Sequence, residues 1–318
     1  MKKFKRNNIM NVENEKSGKE TPVATDSTDE STVLPNKRRR EFLLTGALGA
    51  VGLAAGLNAS RAEAQTSAKK PGKRRVVILV DTQTHMMPAL AREMVRRDHN
   101  LVIGSVADGL ADELKGMGAE VEVVHGDLDL TKAGSMQKLV KAAQARFGRF
   151  DSACVRTGVH GTGDILHATP KEFQTQFEGN MQSVLHALNA LLPPMIEQGS
   201  GQIVINTSAS GLRPVPSGAL YSATRAGANT LIRCAGLTVA DKGVTVNATG
   251  TYAMDYPSFI EDVGAEDPKI RRQIEAQIPM NRFGKPEEAA HFVATLIDGV
   301  GTFQTAQFFS IGGGWAFE

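Results

Sequence analysis

Residues 76–91 read Val76-Val77-Ile78-Leu79-Val80-Asp81-Thr82-Gln83-Thr84-His85-Met86-Met87-Pro88-Ala89-Leu90-Ala91, and the segment continues to Arg97 with apolar residues three and four apart. Five consecutive apolar, mostly β-branched residues predict a strand buried on both faces. The periodic segment predicts a helix, whose first turn suits Pro88. This unit recurs along the chain. Further strands are predicted at 101–103, 121–124, 152–155, 202–206, 245–248 and 307–311, and helices at 88–97, 109–117, 132–147, 171–198, 220–240 and 286–298. Continuous apolar strands alternating with amphipathic helices imply an α/β fold: a doubly wound, Rossmann-like parallel sheet in a single domain over 75–318, with its site at the carboxyl ends of the strands.

The segment ahead of this unit is built differently. The chain has 318 residues, 41% hydrophobic and 22% charged, with a formal net charge of +2. These values exclude collagen, disulfide scaffolds and disorder throughout. Residues 1–36 are polar, with no apolar run able to form a core face, and are expected to be a disordered arm. Residues 37–64 contain Lys37-Arg38-Arg39-Arg40-Glu41-Phe42-Leu43, an uncharged Ala- and Gly-rich stretch to Leu57, and Ala62-Glu63-Ala64. A basic region, an apolar region and a small-x-small site are the parts of a cleavable export signal. The Arg39-Arg40-x-Phe42-Leu43 core resembles a bacterial twin-arginine signal, which implies the twin-arginine export machinery as a partner and a periplasmic destination. The 16 residues from Phe42 to Leu57 fall short of a membrane span. Residues 65–74 read as a linker. Beyond Ala64 there remain 25 basic and 26 acidic side chains, so charge gives no reason to expect nucleic acid as a partner.

The two cysteines, Cys154 and Cys234, lie in core-type contexts and are expected to be buried free thiols. The seven histidines are scattered without ligand spacing, so no metal site is expected.

Ser208 is followed 13 positions later by Tyr221-Ser222-Ala223-Thr224-Arg225-Ala226-Gly227. Upstream stand Gly126-Asp127-Leu128, Phe147-Gly148-Arg149-Phe150-Asp151 and Phe177-Glu178-Gly179-Asn180. Downstream stands Pro279-Met280-Asn281-Arg282-Phe283-Gly284-Lys285-Pro286-Glu287. In this order they resemble a short-chain dehydrogenase/reductase from about residue 76 to 315. The resemblance implies hydride transfer between NAD or NADP and an alcohol or carbonyl substrate. It implies Tyr221 as acid/base, Arg225 at the position of the lysine that favours the phenolate and holds the nicotinamide ribose, Ser208 as donor to the substrate oxygen, and Asn180 in the proton relay. Asp127 would contact the adenine end, and Gly158 and Gly250 are what remains of two further cofactor motifs. Homo-oligomers are expected by the same analogy.

Arg225 departs from the family's lysine. It keeps the charge but cannot release a proton, and its planar fork is bulkier. The nucleotide turn departs further. The family's T-G-x-x-x-G-x-G appears as 81–88 with every glycine replaced. Met86 and Pro88 are expected to put side chains where backbone should meet phosphate, and Asp81 adds negative charge there. After the second strand, Gly104-Ser105-Val106-Ala107 offers neither a carboxylate for ribose hydroxyls nor an arginine for a 2′-phosphate, so NAD and NADP are not distinguished. Arg156 reads as a surface arginine, the alternative being a phosphate contact by a different route. The aromatic stretch Tyr252, Met254, Tyr256, Phe259, Ile260 reads equally as a substrate lid or a packing face. Two functions follow: an exported oxidoreductase, or a catalytically silent binding or scaffold protein that keeps the fold without the nucleotide.

Overall fold

A computed structural model describes residues 74–126 and 128–317. The arm, export signal and most of the linker expected at 1–73, and Asp127, lie outside the described residues.

Strands β1 (Arg75–Leu79), β2 (His99–Gly104), β3 (Val121–Val124), β4 (Ser152–Arg156), β5 (Gly201–Asn206), β6 (Val244–Thr251) and β7 (Phe308–Ile311) form one parallel sheet in the order β3-β2-β1-β4-β5-β6-β7. The order reverses between β1 and β4, which makes their carboxyl ends the switch point where such folds place a ligand. Most strand residues are buried. Side chains therefore alternate into two cores instead of between core and solvent.

One core joins Ile78, Ala153, Ile203 and Val246 to Leu139 of α3 (Ala133–Phe147), Leu191 of α5 (Ser183–Gln198) and Ile232 of α6 (Ala219–Val239). The other joins Leu79, Cys154 and Val204 to Leu90 of α1 (Met87–Arg96), Leu114 of α2 (Leu110–Gly116) and Val293 of α9 (Pro286–Ile297). At the amino end, the buried Asp151 accepts from the Val76 amide at 2.8 Å and pairs with Arg149, fixing the entry of β4 against β1.

The predicted helix at 171–198 is broken in two. After α4 (Pro170–Phe177), Glu178–Gln182 form a π-helical turn before α5 begins. The wider turn carries Asn180. Two further helices, α7 (Pro257–Val263) and α8 (Pro268–Glu275), lie between β6 and α9, each begun by a proline in its first turn. Among the described residues no helix is long and apolar enough to cross a membrane, and no cluster of His, Cys, Asp and Glu could hold a metal.

Cys154 is buried and burial pushes its thiol up to about 12, whereas Cys234 is exposed on α6. The expectation that both are buried is corrected for Cys234. Its neighbours Ile232 and Gly236 face inward, while Cys234 and Leu237 take the outer side of the helix.

Candidate active site

Four side chains expected to carry chemistry stand at or beyond the carboxyl edge of β4 and β5. Tyr221 and Arg225 are one turn apart on α6, and the Arg225 guanidinium lies 5.1 Å from the centre of the Tyr221 ring. The other ring neighbour of Tyr221 is His160, edge-on at 5.2 Å. Asn180 is fully buried. Its amide nitrogen donates to Gln176 Oε1 (2.8 Å) and Thr224 Oγ1 (3.0 Å), and its Oδ1 accepts from the Val159 amide (3.2 Å). It ties the segment after β4 to α6 one residue before Arg225. Ser208 follows β5 and accepts from the Ser210 amide at 3.1 Å, capping a short turn.

The glycines inherited from the cofactor motifs have local work. Gly250 in β6 lets the backbone at Ser208–Ala209 approach so closely that a Cβ would stand 2.5 Å from the Ser208 carbonyl carbon. Gly158 has a left-handed backbone (φ +112°), and a Cβ there would stand 2.0 Å from Arg225 Nη2. The bulkier fork of Arg225 thus occupies the space over Gly158. A cavity of about 460 Å³ opens beside Tyr221, with Gly163, His167, Lys171, Gln176 and Leu220 among its walls.

The turn after β1 differs from its sequence reading. Met86 is fully buried among the side chains of the α1 core and points away from the cleft. The obstruction comes from other residues. The Asp81 carboxylate is held by Arg156 at 2.7 Å and by Thr84 Oγ1 at 2.9 Å. Thr84 Oγ1 also meets His85 Nδ1 at 2.9 Å, and the other side of the His85 ring faces Arg156 at 3.4 Å. The His85 ring packs on Tyr256 with centroids 4.9 Å apart, which joins the turn after β1 to the segment after β6. Tyr256 is only 3% exposed. Asp81 and His85 both take left-handed backbone (φ 61° and 57°), a conformation that favours glycine but that Asp and His adopt more readily than most residues.

Arg156 is therefore no free surface side chain. It lies level with Asp81 because β4 pairs with β1 through Leu79 and Cys154, and both residues stand two positions beyond that pair. Its partner is 75 residues away in sequence, so no local pattern announces it. Burial, followed by the charges of Arg156 and Arg225, holds the His85 imidazole down at about 3, so the ring is neutral at ordinary pH. The segment from Tyr252 to Ile260 serves packing: Tyr252 stacks on Trp315 at 3.7 Å, and Met254 and Tyr256 are buried.

A single parallel sheet with Asn180, Ser208 and Tyr221 at or beyond the carboxyl edge of β4 and β5 is a Rossmann-like α/β fold of the oxidoreductase type. The family model described as enoyl-(acyl carrier protein) reductase matches residues 87–316, and the chain belongs to the short-chain dehydrogenase/reductase family of oxidoreductases. Among its curated relatives is the 3-oxoacyl-[acyl-carrier-protein] reductase FabG of Staphylococcus epidermidis, 25% identical over 71% of this chain and 92% of the relative. Another is the 2,5-dichloro-2,5-cyclohexadiene-1,4-diol dehydrogenase LinX of Sphingobium indicum, 25% identical over 76% and 96%. Levodione reductase has a similar structure, with a TM-score of 0.68 and 26% identity over 76% of this chain and 96% of that one. The structure of ElxO with NADP bound shares the fold, with a TM-score of 0.68 and 19% identity over 76% and 98%.

A nicotinamide dinucleotide, which the family implies, does not fit these residues as they stand. The turn after β1, where such folds receive the pyrophosphate, carries the Asp81–Arg156–His85 network and the His85–Tyr256 contact in place of glycines. Arg225 fills the space over Gly158. On the other side of the site Tyr221 lines the open cavity, while Ser208 and Asn180 are buried.

Proposed function

We propose that this chain is a short-chain dehydrogenase/reductase-family protein that has kept the substrate side of the site and given up the dinucleotide side. It binds a small hydroxyl- or carbonyl-bearing molecule in the cavity beside Tyr221, where the phenol hydroxyl can donate to or accept from that oxygen. The observation that supports this reading is the His85–Tyr256 contact with the Asp81–Arg156 pair beside it, since together they fill with side chains the turn that glycines leave open in a dinucleotide site.

A second reading, turnover of an alcohol or carbonyl compound with NAD or NADP, is favoured by Tyr221 on the cavity wall, by the satisfied Asn180 network and by the activities in the relatives' names. Titration of the purified protein with NADH and NADPH, followed by nucleotide fluorescence, separates the two. No binding at millimolar nucleotide supports the first; saturable binding replaces it with the second. In that event Tyr221→Phe should abolish turnover with affinity nearly unchanged.

Export through the Arg39-Arg40 segment belongs to the same proposal, because free nicotinamide nucleotide is scarce outside the cytoplasm. Cell fractionation of the wild type and an Arg39→Lys/Arg40→Lys variant tests it. Export unaffected by the change would remove the twin-arginine route.

A further inference from the structure

We propose that Arg225 is the anchor for an oxyanion, a carboxylate or a phosphate ester, on the molecule that occupies the Tyr221 cavity. This rests on the reading that a dinucleotide does not fill the site.

Arg225 is 5% exposed, and no carboxylate pairs with it among the described residues. Its one hydrogen bond is a long one, Nη1 to Thr157 Oγ1 at 3.5 Å, and its Nε is buried with no partner. A guanidinium carries five N–H donors, so most of this one's capacity is unused. The neighbouring charges leave it uncompensated. Asp81 is taken by Arg156, and His85 is neutral. A buried charge without a counter-charge is costly, and a ligand anion is the partner that would relieve it.

The shape of the site agrees with that partner. The planar fork of arginine matches the two oxygens of a carboxylate or phosphate, which a lysine ammonium does not. Gly158, with no side chain and a left-handed backbone, gives the fork its room. The Tyr221 ring under the guanidinium is also a wall of the cavity, so the free charge stands one side chain away from the ligand space. Arg225 is not itself a wall of the cavity, and Asp164 and Glu172 on the walls disfavour an anion within it, so the acid group belongs at Arg225 and the neutral body in the cavity. The change from lysine to arginine then becomes a change of ligand instead of simple damage to a catalytic pair.

The test uses the full chain at constant ionic strength, with sodium hexanoate, hexyl phosphate, hexan-1-ol and sodium chloride as probes in thermal melts and calorimetric titrations. Hexanoate or hexyl phosphate should raise Tm by several degrees and bind saturably, while hexan-1-ol should bind at least tenfold more weakly and chloride should have no effect; the stronger of the two anions identifies the group. Arg225→Met should weaken anion binding at least tenfold, and without ligand it should melt no lower than the wild type, because the unpaired charge is gone. Arg225→Lys, which keeps the charge without the fork, should weaken binding severalfold and serves if the methionine variant does not fold. Absence of any anion response in the wild type, or an undiminished response in the variants, overturns the proposal. The nucleotide titration reads the other failure. Saturable NADPH binding overturns the reading of a closed nucleotide cleft, whereas silence toward hexanoate and hexyl phosphate removes only the anchor.

Discussion

The guanidinium of Arg156, on the last residue of β4, lies 2.7 Å from the carboxylate of Asp81, on the turn leaving β1. The pair spans the switch point, where a dinucleotide-binding protein would leave a groove. With side-chain exposures of 28% and 19% it is neither a surface pair, worth little, nor a fully buried one. Asp81→Ala should therefore destabilise by about 1–2 kcal/mol. The double change Asp81→Ala/Arg156→Ala should cost less than the sum of the single changes. Urea denaturation of the four proteins checks this; strict additivity would mean that the pair contributes nothing.

His85 gives the protein a stability that depends on pH. Its pKa is about 3 in the folded state, below the unfolded value near 6.5, so the unfolded chain binds the additional proton between these limits. Stability is then greatest above pH 6.5 and falls as the pH drops toward 3, by at most about 1.4 kcal/mol per pH unit from this group. His99, also lowered by burial, adds in the same direction. Carboxylates such as Glu288, lowered to about 2 by Arg282, join in only below about pH 4.5. Denaturation midpoints at pH 7, 6 and 5 should decline in the wild type and decline less in His85→Gln. Parallel declines would show that His85 titrates normally.

Gly158→Ala places a methyl group against the Arg225 fork and on a left-handed backbone at once. We expect a loss of about 2–3 kcal/mol, combining overpacking with the conformational cost. In an Arg225→Ala background only the conformational part, about 1–2 kcal/mol, should remain. A double-mutant cycle in urea measures the difference. A zero coupling energy would place the guanidinium elsewhere.

The two thiols differ in reach. In native buffer a thiol-specific reagent such as dithiobis-nitrobenzoate should titrate one equivalent, lost in Cys234→Ser, and two equivalents after denaturation. Fast native labelling of Cys154 would contradict its burial beneath α1.

The strand–helix alternation is legible because it rests on local periodicity, and each predicted strand overlaps an observed one, although β6 runs three residues beyond its predicted end. What escaped the sequence reading depended on partners distant in the chain. Arg156 reads as a surface residue until β4 is laid beside β1 and its carboxylate comes into view. Met86 reads as an obstruction until the turn rotates it into the α1 core. His160 meets Tyr221 from a segment with no recognisable pattern. The helices at Pro257 and Pro268 carry a local signal, proline in the first turn and Asp267 as a cap, but the aromatic run from Tyr252 to Phe259 reads equally as a lid or a packing face and masks it. At the site, the shared helix face of Tyr221 and Arg225 follows from their spacing of four, whereas Asn180 was singled out by the family resemblance alone. The missing counter-charge of Arg225 could be seen only with every neighbour in place.

The contact between His85 and Tyr256 has a thermodynamic consequence. A protein whose cleft is completed by a diffusible cofactor has a melting point that follows the supply of that cofactor through mass action. Here the two lips of the cleft are joined by covalently tethered rings, always present at the same effective concentration. Under the closed-cleft proposal, the fold's resistance to unfolding does not follow the supply of nicotinamide nucleotide.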